Sequence, residues 1–394
     1  MIKYNHKIKE NLRSRAFEMA FWGVMLLILF VFFTNLFSRL TTTDSDYQTH
    51  LQVAIDLFRK HDSHISAYPL YHFAVKVIAH FLTKDYYSAN ILVLSAFSVL
   101  SILAYNLLLN EMIHPDCISK RIAIYLCSVA LVFFGTISST FTEGRYYARQ
   151  GSPNPWHNPT IIAVRPIAIL SLFFLYRIVD NRVRYNHTEY KDVISLGIAM
   201  MLSVYFKPSW GIVIIPAVGL YILHLVLMDL RGNLLYGVYL VLGFIPAGIA
   251  MICQVSFNKG MSSLAASSFG VAFGGWSGLS ALGIVGASIS TFPVCIMVFI
   301  CLKRKCEKHY MLLLGYVLLV GWMEMFFLTD GHYGDFSWGY DLAIGACTAM
   351  ALGLTIKEMW LKTEMLWILS IFLQQVVSGG YYLWLYYSTG NFWK

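Results

Sequence analysis

Long apolar runs broken by short polar gaps recur from one end of this chain to the other. A hydrocarbon layer about 30 Å thick needs about 20 apolar residues per helix. Runs of that kind lie at residues 17–37, 88–109, 122–139, 159–179, 193–206, 209–229, 236–254, 281–302, 310–329, 340–356 and 365–387. The pattern predicts about 11 transmembrane helices. The fifth run is short and ends at Lys207-Pro208, so residues 193–229 read either as a tight hairpin or as one broken helix.

The gaps differ in kind. Residues 38–87 are too long for a turn. Within them Tyr47, His50, Leu51, Ala54, Leu57 and Phe58 share one side at helical spacing, which predicts a short helix over 46–60. A second helix is predicted after Tyr68-Pro69 through Leu70, Phe73, Val77, Ile78 and Phe81, with an apolar stripe suited to lying in the membrane interface. The gap at 140–158 is dense in Pro, Gly, Asn and aromatic residues, and the gap at 255–280 is rich in Gly, Ser and Ala.

Composition agrees with the pattern. Apolar residues make up 58% of the chain and charged ones 13%, and the mean hydropathy is +0.61. These values exclude an ordinary soluble domain. The expected fold class is an all-α, polytopic integral membrane protein, a single transmembrane domain over 1–394 with no separate soluble domain. The first run is too long for a cleaved signal peptide and has no small-residue cleavage site after it, so it is expected to remain as an anchor.

The net charge of +8 adds orientation. Basic residues gather before the first run and in alternate connections: Lys120 and Arg121; Arg177, Arg182, Arg184 and Lys191; Arg231; Lys303, Arg304, Lys305 and Lys308; Lys357 and Lys362. These connections and the N-terminus are expected to face the cytoplasm. The charge is therefore a topology signal and gives no support to nucleic-acid binding. Richness in Ile, Tyr, Asn and Lys is compatible with a bacterial inner (plasma) membrane. The seven cysteines lie in the runs or at their cytoplasmic ends without metal-ligand spacing, so free thiols are expected.

With that orientation, the unusual polar chemistry falls on the external side. The first external segment opens with Thr43-Asp44-Ser45-Asp46-Tyr47-Gln48-Thr49-His50, in a chain with only 21 Asp and Glu. The second carries Glu143, Arg145, Arg149, Trp156, His157 and Asn158, and leads to Arg165 about one turn inside the next run. An arginine at that depth is costly unless it pairs or faces water. Lys207, Lys259, Trp276, His332, Asp335, Trp338 and Tyr340 follow in later external pieces, with Glu324 inside the run before them. Plainer roles compete: Asp46 as an N-cap, the loop charges as surface pairs, and the rings as an interfacial belt.

A first helix, an external loop opening with Asp-x-Asp-Tyr-x-x-His, an interfacial helix and further spans together resemble the GT-C superfamily of polyprenyl-phosphate-sugar-dependent glycosyltransferases. The resemblance covers the whole architecture and is motif-specific over about residues 43–75. It implies a GT-C-like fold, a catalytic acid in the first external loop, a lipid-linked sugar donor, and a glycan or lipid-linked acceptor in cell-envelope polysaccharide biosynthesis. An inverting outcome is expected.

The chemistry is consistent with those residue types. Transfer to a hydroxyl needs a carboxylate that takes the acceptor proton as the anomeric carbon becomes cationic. Asp44 is the first choice, with Asp46 and His50 as further catalytic candidates. The leaving lipid phosphate needs cations, for which Arg145, Arg149, Arg165, Lys207 and Lys259 are candidates. Tyr47, Glu143, Trp156, His157, Asn158, Trp276, His332, Asp335, Trp338 and Tyr340 are candidates for holding the sugars. Asp44, Asp46 and His50 also have donor types for a divalent cation such as Mg or Mn, which spacing alone does not require; the expectation is metal-independent chemistry. A polysaccharide polymerase or ligase, a lipid-linked glycan flippase or transporter, and an assembly subunit are the competing classes.

Overall fold

The computed structural model describes residues 2–43, 46–56, 68–135, 156, 158–261, 270–275, 280–288, 294–297, 300, 308–329 and 337–390. Side chains are described from residue 20 onward, apart from a few positions beyond 254. The helices are α1 (Ile2–Leu40), α2 (Asp46–Asp56), α3 (Leu70–Ile78), α4 (Tyr86–Ile113), α5 (Ile118–Ala130), α6 (Pro159–Tyr185), α7 (Tyr190–Phe206), α8 (Ser209–Met228), α9 (Leu230–Met261), α10 (Ala281–Ser288), α11 (Lys308–Phe327), α12 (Ser337–Glu358) and α13 (Thr363–Thr389). A π-helical turn, Ala79–Thr83, continues α3. The strands β1 (Gly270–Val271) and β2 (Leu328–Thr329) pair antiparallel.

The chain is an all-α polytopic membrane protein, with about 87% of the described residues helical. Among the described residues eight helices are long and apolar enough to span a bilayer: α1 from Ala20, α4, α6, α8, α9 to Gln254, α11, α12 and α13. The remaining three predicted spans come out differently. The run at 122–139 is α5, only 13 residues long, ended by a turn. The run at 193–206 is α7 at 17 residues, near the lower length limit for crossing. Residues 281–302 are helical at 281–288 and 294–297, with the rest mostly outside the described residues. The short helix predicted over 46–60 is present as α2 over Asp46–Asp56, with 57–60 outside the described residues, and the one predicted after Pro69 is present as α3.

Helix α12 is the axis of the bundle. Its most apolar stretch is wholly buried, and it packs against α4, α6, α8, α11 and α13. Gly345, Gly353, Ala343, Ala346, Ala349 and Ala351 keep its surface low, which lets neighbouring backbones approach where lipid offers no hydrophobic drive for association. By contrast, α1 and α13 expose Val24, Leu27, Ile28, Leu373, Val377 and Trp384, as expected of helices facing lipid. A tight contact joins α13 to the turn after α5. Gly135 N–H donates to the Gln375 carbonyl at 3.1 Å, and a Cβ at Gly379 would overlap the Phe133 carbonyl oxygen.

Helices α7 and α8 run in opposite directions, so the hairpin reading of 193–229 holds. Asp192 at the start of α7 bonds Arg177 near the end of α6, and Gly232 at the start of α9, just after α8, accepts from Arg182 at the same end of α6. Lys207, between α7 and α8, is at the other end, in extended backbone with φ −168°. The Arg177 end is stapled by charge. Arg177 pairs with Glu111 at 3.2 Å and Asp192 at 3.0 Å, while Asp180 accepts from Tyr310 at 2.7 Å and Arg184 at 2.8 Å. These bonds tie α4, α6, α7 and α11 together.

Candidate functional site

The opposite end is built around the start of α2 and the start of α6. Asn158 caps α6: its Oδ1 accepts from Thr160 N at 3.0 Å and Ile161 N at 3.3 Å, and Pro159 follows where a missing N–H is harmless. The same side chain reaches across, Nδ2 donating to Asp46 Oδ2 at 2.8 Å. Asp46 stands in the first turn of α2, where the helix dipole favours a carboxylate. Next to it the Tyr47 hydroxyl donates to the Trp156 carbonyl. Thr43 and Tyr386 share a hydroxyl bond of 2.8 Å, bringing α13 to the same place.

Tyr47 is fully buried, and burial pushes its phenol well above the usual range. Charge from Tyr386, Tyr71 and Asp46 pushes the same way, and Arg165 opposes it. The acid on α2 and the arginine on α6 thus act on one phenol. Trp156 is enclosed by Phe33, Phe37 and Phe133, with ring centroids 5.9–6.3 Å away. Its ring serves as a wall of this end.

Arg165 is 7% exposed. Its Nη1 donates to the Val132 carbonyl at 3.4 Å and its Nη2 lies 3.9 Å from Asp341 Oδ2. Both contacts are long for a group with five donors. Arg165, Asp341, Tyr105 and Trp210 line a cavity of about 10 Å³, the scale of one water. Lys207, 3% exposed, sits with Nζ 5.4 Å from the Trp338 ring and 5.7 Å from the Tyr68 ring, close enough for cation–π attraction. Tyr340 is buried edge-on to Phe326.

Two histidines complete this end. His50 Nδ1 and His72 Nε2 are 2.9 Å apart, and Tyr71, beside His72, donates to Asn90 on α4. Burial, helped by the Lys207 charge, pushes the His72 imidazole down to about 4. Glu324 is 4% exposed, and its Oε2 has no hydrogen-bond partner among the described residues. A Cβ at Gly339 would come within 2.6 Å of that oxygen, so glycine there leaves the carboxyl its room.

A lipid-facing groove of about 480 Å³ runs between α1 and α13. Its lining includes Phe32, Leu36, Phe133, Leu383, Trp384 and Tyr387. Phe133 is the neighbour of Val132, whose carbonyl holds Arg165, so the groove and the arginine lie on either side of one short segment.

Of the candidates named from sequence, the structure brings together Asp46, Tyr47, Trp156 and Asn158, with Arg165 about two turns further along α6, close enough for its charge to act on Tyr47, and His50 on the same short helix as Asp46. Lys207 and Trp338 meet beside His72. Asp44, Glu143, Arg145, Arg149, His157, Trp276, His332 and Asp335 lie outside the described residues, as does the side chain of Lys259. Sequence reasoning missed the roles of His72 and Asp341. For Asp341 the available signal was a carboxylate inside an apolar run; for His72 there was only its place one turn below Pro69. No group of three or more His, Cys, Asp and Glu suited to a metal is found among the described residues. Searches of protein-family models and of curated proteins return no match to this chain.

Proposed function

We propose that this chain is a GT-C-like membrane glycosyltransferase that moves a sugar from a polyprenyl-phosphate donor to a glycan or lipid-linked acceptor at the external face of a bacterial inner membrane. The observation that carries the reading is the meeting of Asp46 and Arg165 around Tyr47, at the end of the bundle away from the Arg177 staple. An acid and a buried cation whose contacts among the described residues are long, both acting on one phenol, suit a reaction that removes a proton and releases a phosphate.

In this reading Asp44 or Asp46 takes the acceptor hydroxyl proton while the bond from the anomeric carbon to the phosphate oxygen breaks. Asn158 holds Asp46 in orientation through Oδ2. Arg165 and Lys207 meet the negative charge that grows on the departing phosphate, and low local polarity strengthens both. The groove lined by Phe133 gives an isoprenoid tail a mostly apolar bed, one residue along the chain from the Val132 carbonyl that Arg165 contacts.

The test is transfer by the purified chain in nanodiscs, with a panel of polyprenyl-phosphate sugars and mass detection of the product. Wild type is expected to form product, and the D44N/D46N double variant to remain inserted and inactive. A double variant with full activity overturns the catalytic assignment. Movement of the lipid-linked sugar with no covalent product overturns the enzyme reading in favour of a transporter.

A further inference from the structure

His72 is a buried titratable group that the reaction above does not use. It has no exposed surface, and its ring stacks on His50 with centroids 5.2 Å apart and planes at 26°. The groups facing it come from each neighbouring element: His50 from α2, Tyr71 beside it on α3, Asn90 on α4 through the Tyr71 hydroxyl, and Lys207 from the α7–α8 connection. Its Nδ1 is buried and meets no hydrogen-bond partner among the described residues.

One hydrogen lies between His50 Nδ1 and His72 Nε2, and its ownership decides both tautomers. Were His50 the donor, a neutral His72 would carry its own proton on Nδ1. That leaves a buried N–H with no acceptor among the described residues, the rarer kind of defect in folded proteins. With His72 as donor, only an unused lone pair remains at Nδ1. His50 then accepts at Nδ1 and carries its proton on Nε2. A second proton on His72 is opposed by burial and by the Lys207 charge, so His72 keeps its neutral form through the neutral pH range.

We propose that His72 is a positioning residue: by donating from Nε2 it locks His50 as the Nε2–H tautomer, a hydrogen-bond donor toward an anionic phosphate oxygen held beside Asp46. Asp46 and His50 are four residues apart on α2 and share a face, so a group bound at one is within reach of the other. The identity of the oxygen as that of a lipid phosphate rests on the glycosyltransferase reading; the tautomer does not.

The tautomer is read by nitrogen NMR on the full chain, ¹⁵N-labelled at histidine and reconstituted in nanodiscs at neutral pH, with H50Q assigning the His50 signals. His50 is expected to show a protonated Nε2 and a bare Nδ1. H72Q, which keeps an N–H donor, is expected to preserve that state, while H72F releases a population protonated at Nδ1. A wild-type His50 protonated at Nδ1 overturns the proposal, and so does an H72F spectrum identical to wild type. If H72F does not fold, the wild-type and H72Q spectra decide.

Polyprenyl monophosphate added to the nanodiscs is expected to shift the His50 Nε2 signal. An equal shift from inorganic phosphate supports the donor role and names free phosphate as the source. No shift from either overturns the donor role. In the transfer assay H72F should raise KM for the lipid donor about 10-fold at nearly unchanged kcat, with H72Q close to wild type. Intact tautomers without any transfer product would sink the glycosyltransferase reading and leave the His50–His72 arrangement standing.

Discussion

The two ends of the bundle treat buried polarity in opposite ways. At the Arg177 end, cations meet carboxylates at 2.8–3.2 Å, and each contact joins or braces helices. At the Asp46 end the contacts of Arg165 among the described residues are 3.4 and 3.9 Å long, and Glu324 and His72 each keep an atom without a hydrogen-bond partner among the described residues. The stapled end is not perfect, since Asp192 Oδ2 is also unsatisfied among the described residues, but its arginine holds two carboxylates at 3.0 and 3.2 Å. Unmet hydrogen-bonding capacity inside a membrane is costly and fits the proposed ligand site, whereas matched charge fits a brace.

That contrast is open to direct attack. The largest effect is expected from D44N/D46N, which should lower the transfer rate about 10³-fold while leaving thermal unfolding in detergent unchanged; the rate assay and the melt are read on the same preparation. Next, R165A and R177A should separate the two ends. R165A is expected to raise KM for the lipid donor about 10- to 100-fold with little change in stability. R177A should leave KM unchanged and lower stability by about 3 kcal/mol, because Asp192 is left buried without its partner. Equal effects of the two variants on KM would erase the distinction.

A pH series sharpens the comparison further. His72 has its folded-state pKa lowered to about 4 from the ordinary 6.5, so below 6.5 the unfolded chain binds the extra proton and the folded one does not. Stability from this group is complete above pH 6.5 and is lost as pH falls toward 4, about 3 kcal/mol in all. H72F should flatten that slope between pH 6.5 and 4 in chemical unfolding. The smallest effect is expected from G379A, about 1–3 kcal/mol of destabilisation from crowding the Phe133 carbonyl, visible as a lower melting temperature.

Much of this layout was legible in the chain. Hydrophobic run length located the eight long helices, and helical spacing located α2 and α3. Asp46, Tyr47, Asn158 and Arg165 stood out because polar groups at the mouths of apolar runs are conspicuous. Their connections were not legible. Nothing in the local pattern says that Asn158 spends its oxygen on the cap of α6 and its nitrogen on Asp46. Trp156 reads as a sugar platform by type, yet the folded chain encloses it among Phe33, Phe37 and Phe133. Asp341 and His72 were hidden because an isolated polar residue in an apolar stretch has no partner within reach along the sequence.

What the amino-acid order determined by itself is the class: apolar runs of membrane-crossing length, charge asymmetry between alternate connections, and an acid-rich mouth after the first run. These depend on neighbours along the chain, since backbone hydrogen bonding in lipid must be satisfied within each helix. Which of those polar side chains meet was decided only in three dimensions. Arg165 and Asp341, or His50 and His72, come into contact through the way helices cross and small residues let them approach, and that geometry belongs to the packed bundle as a whole.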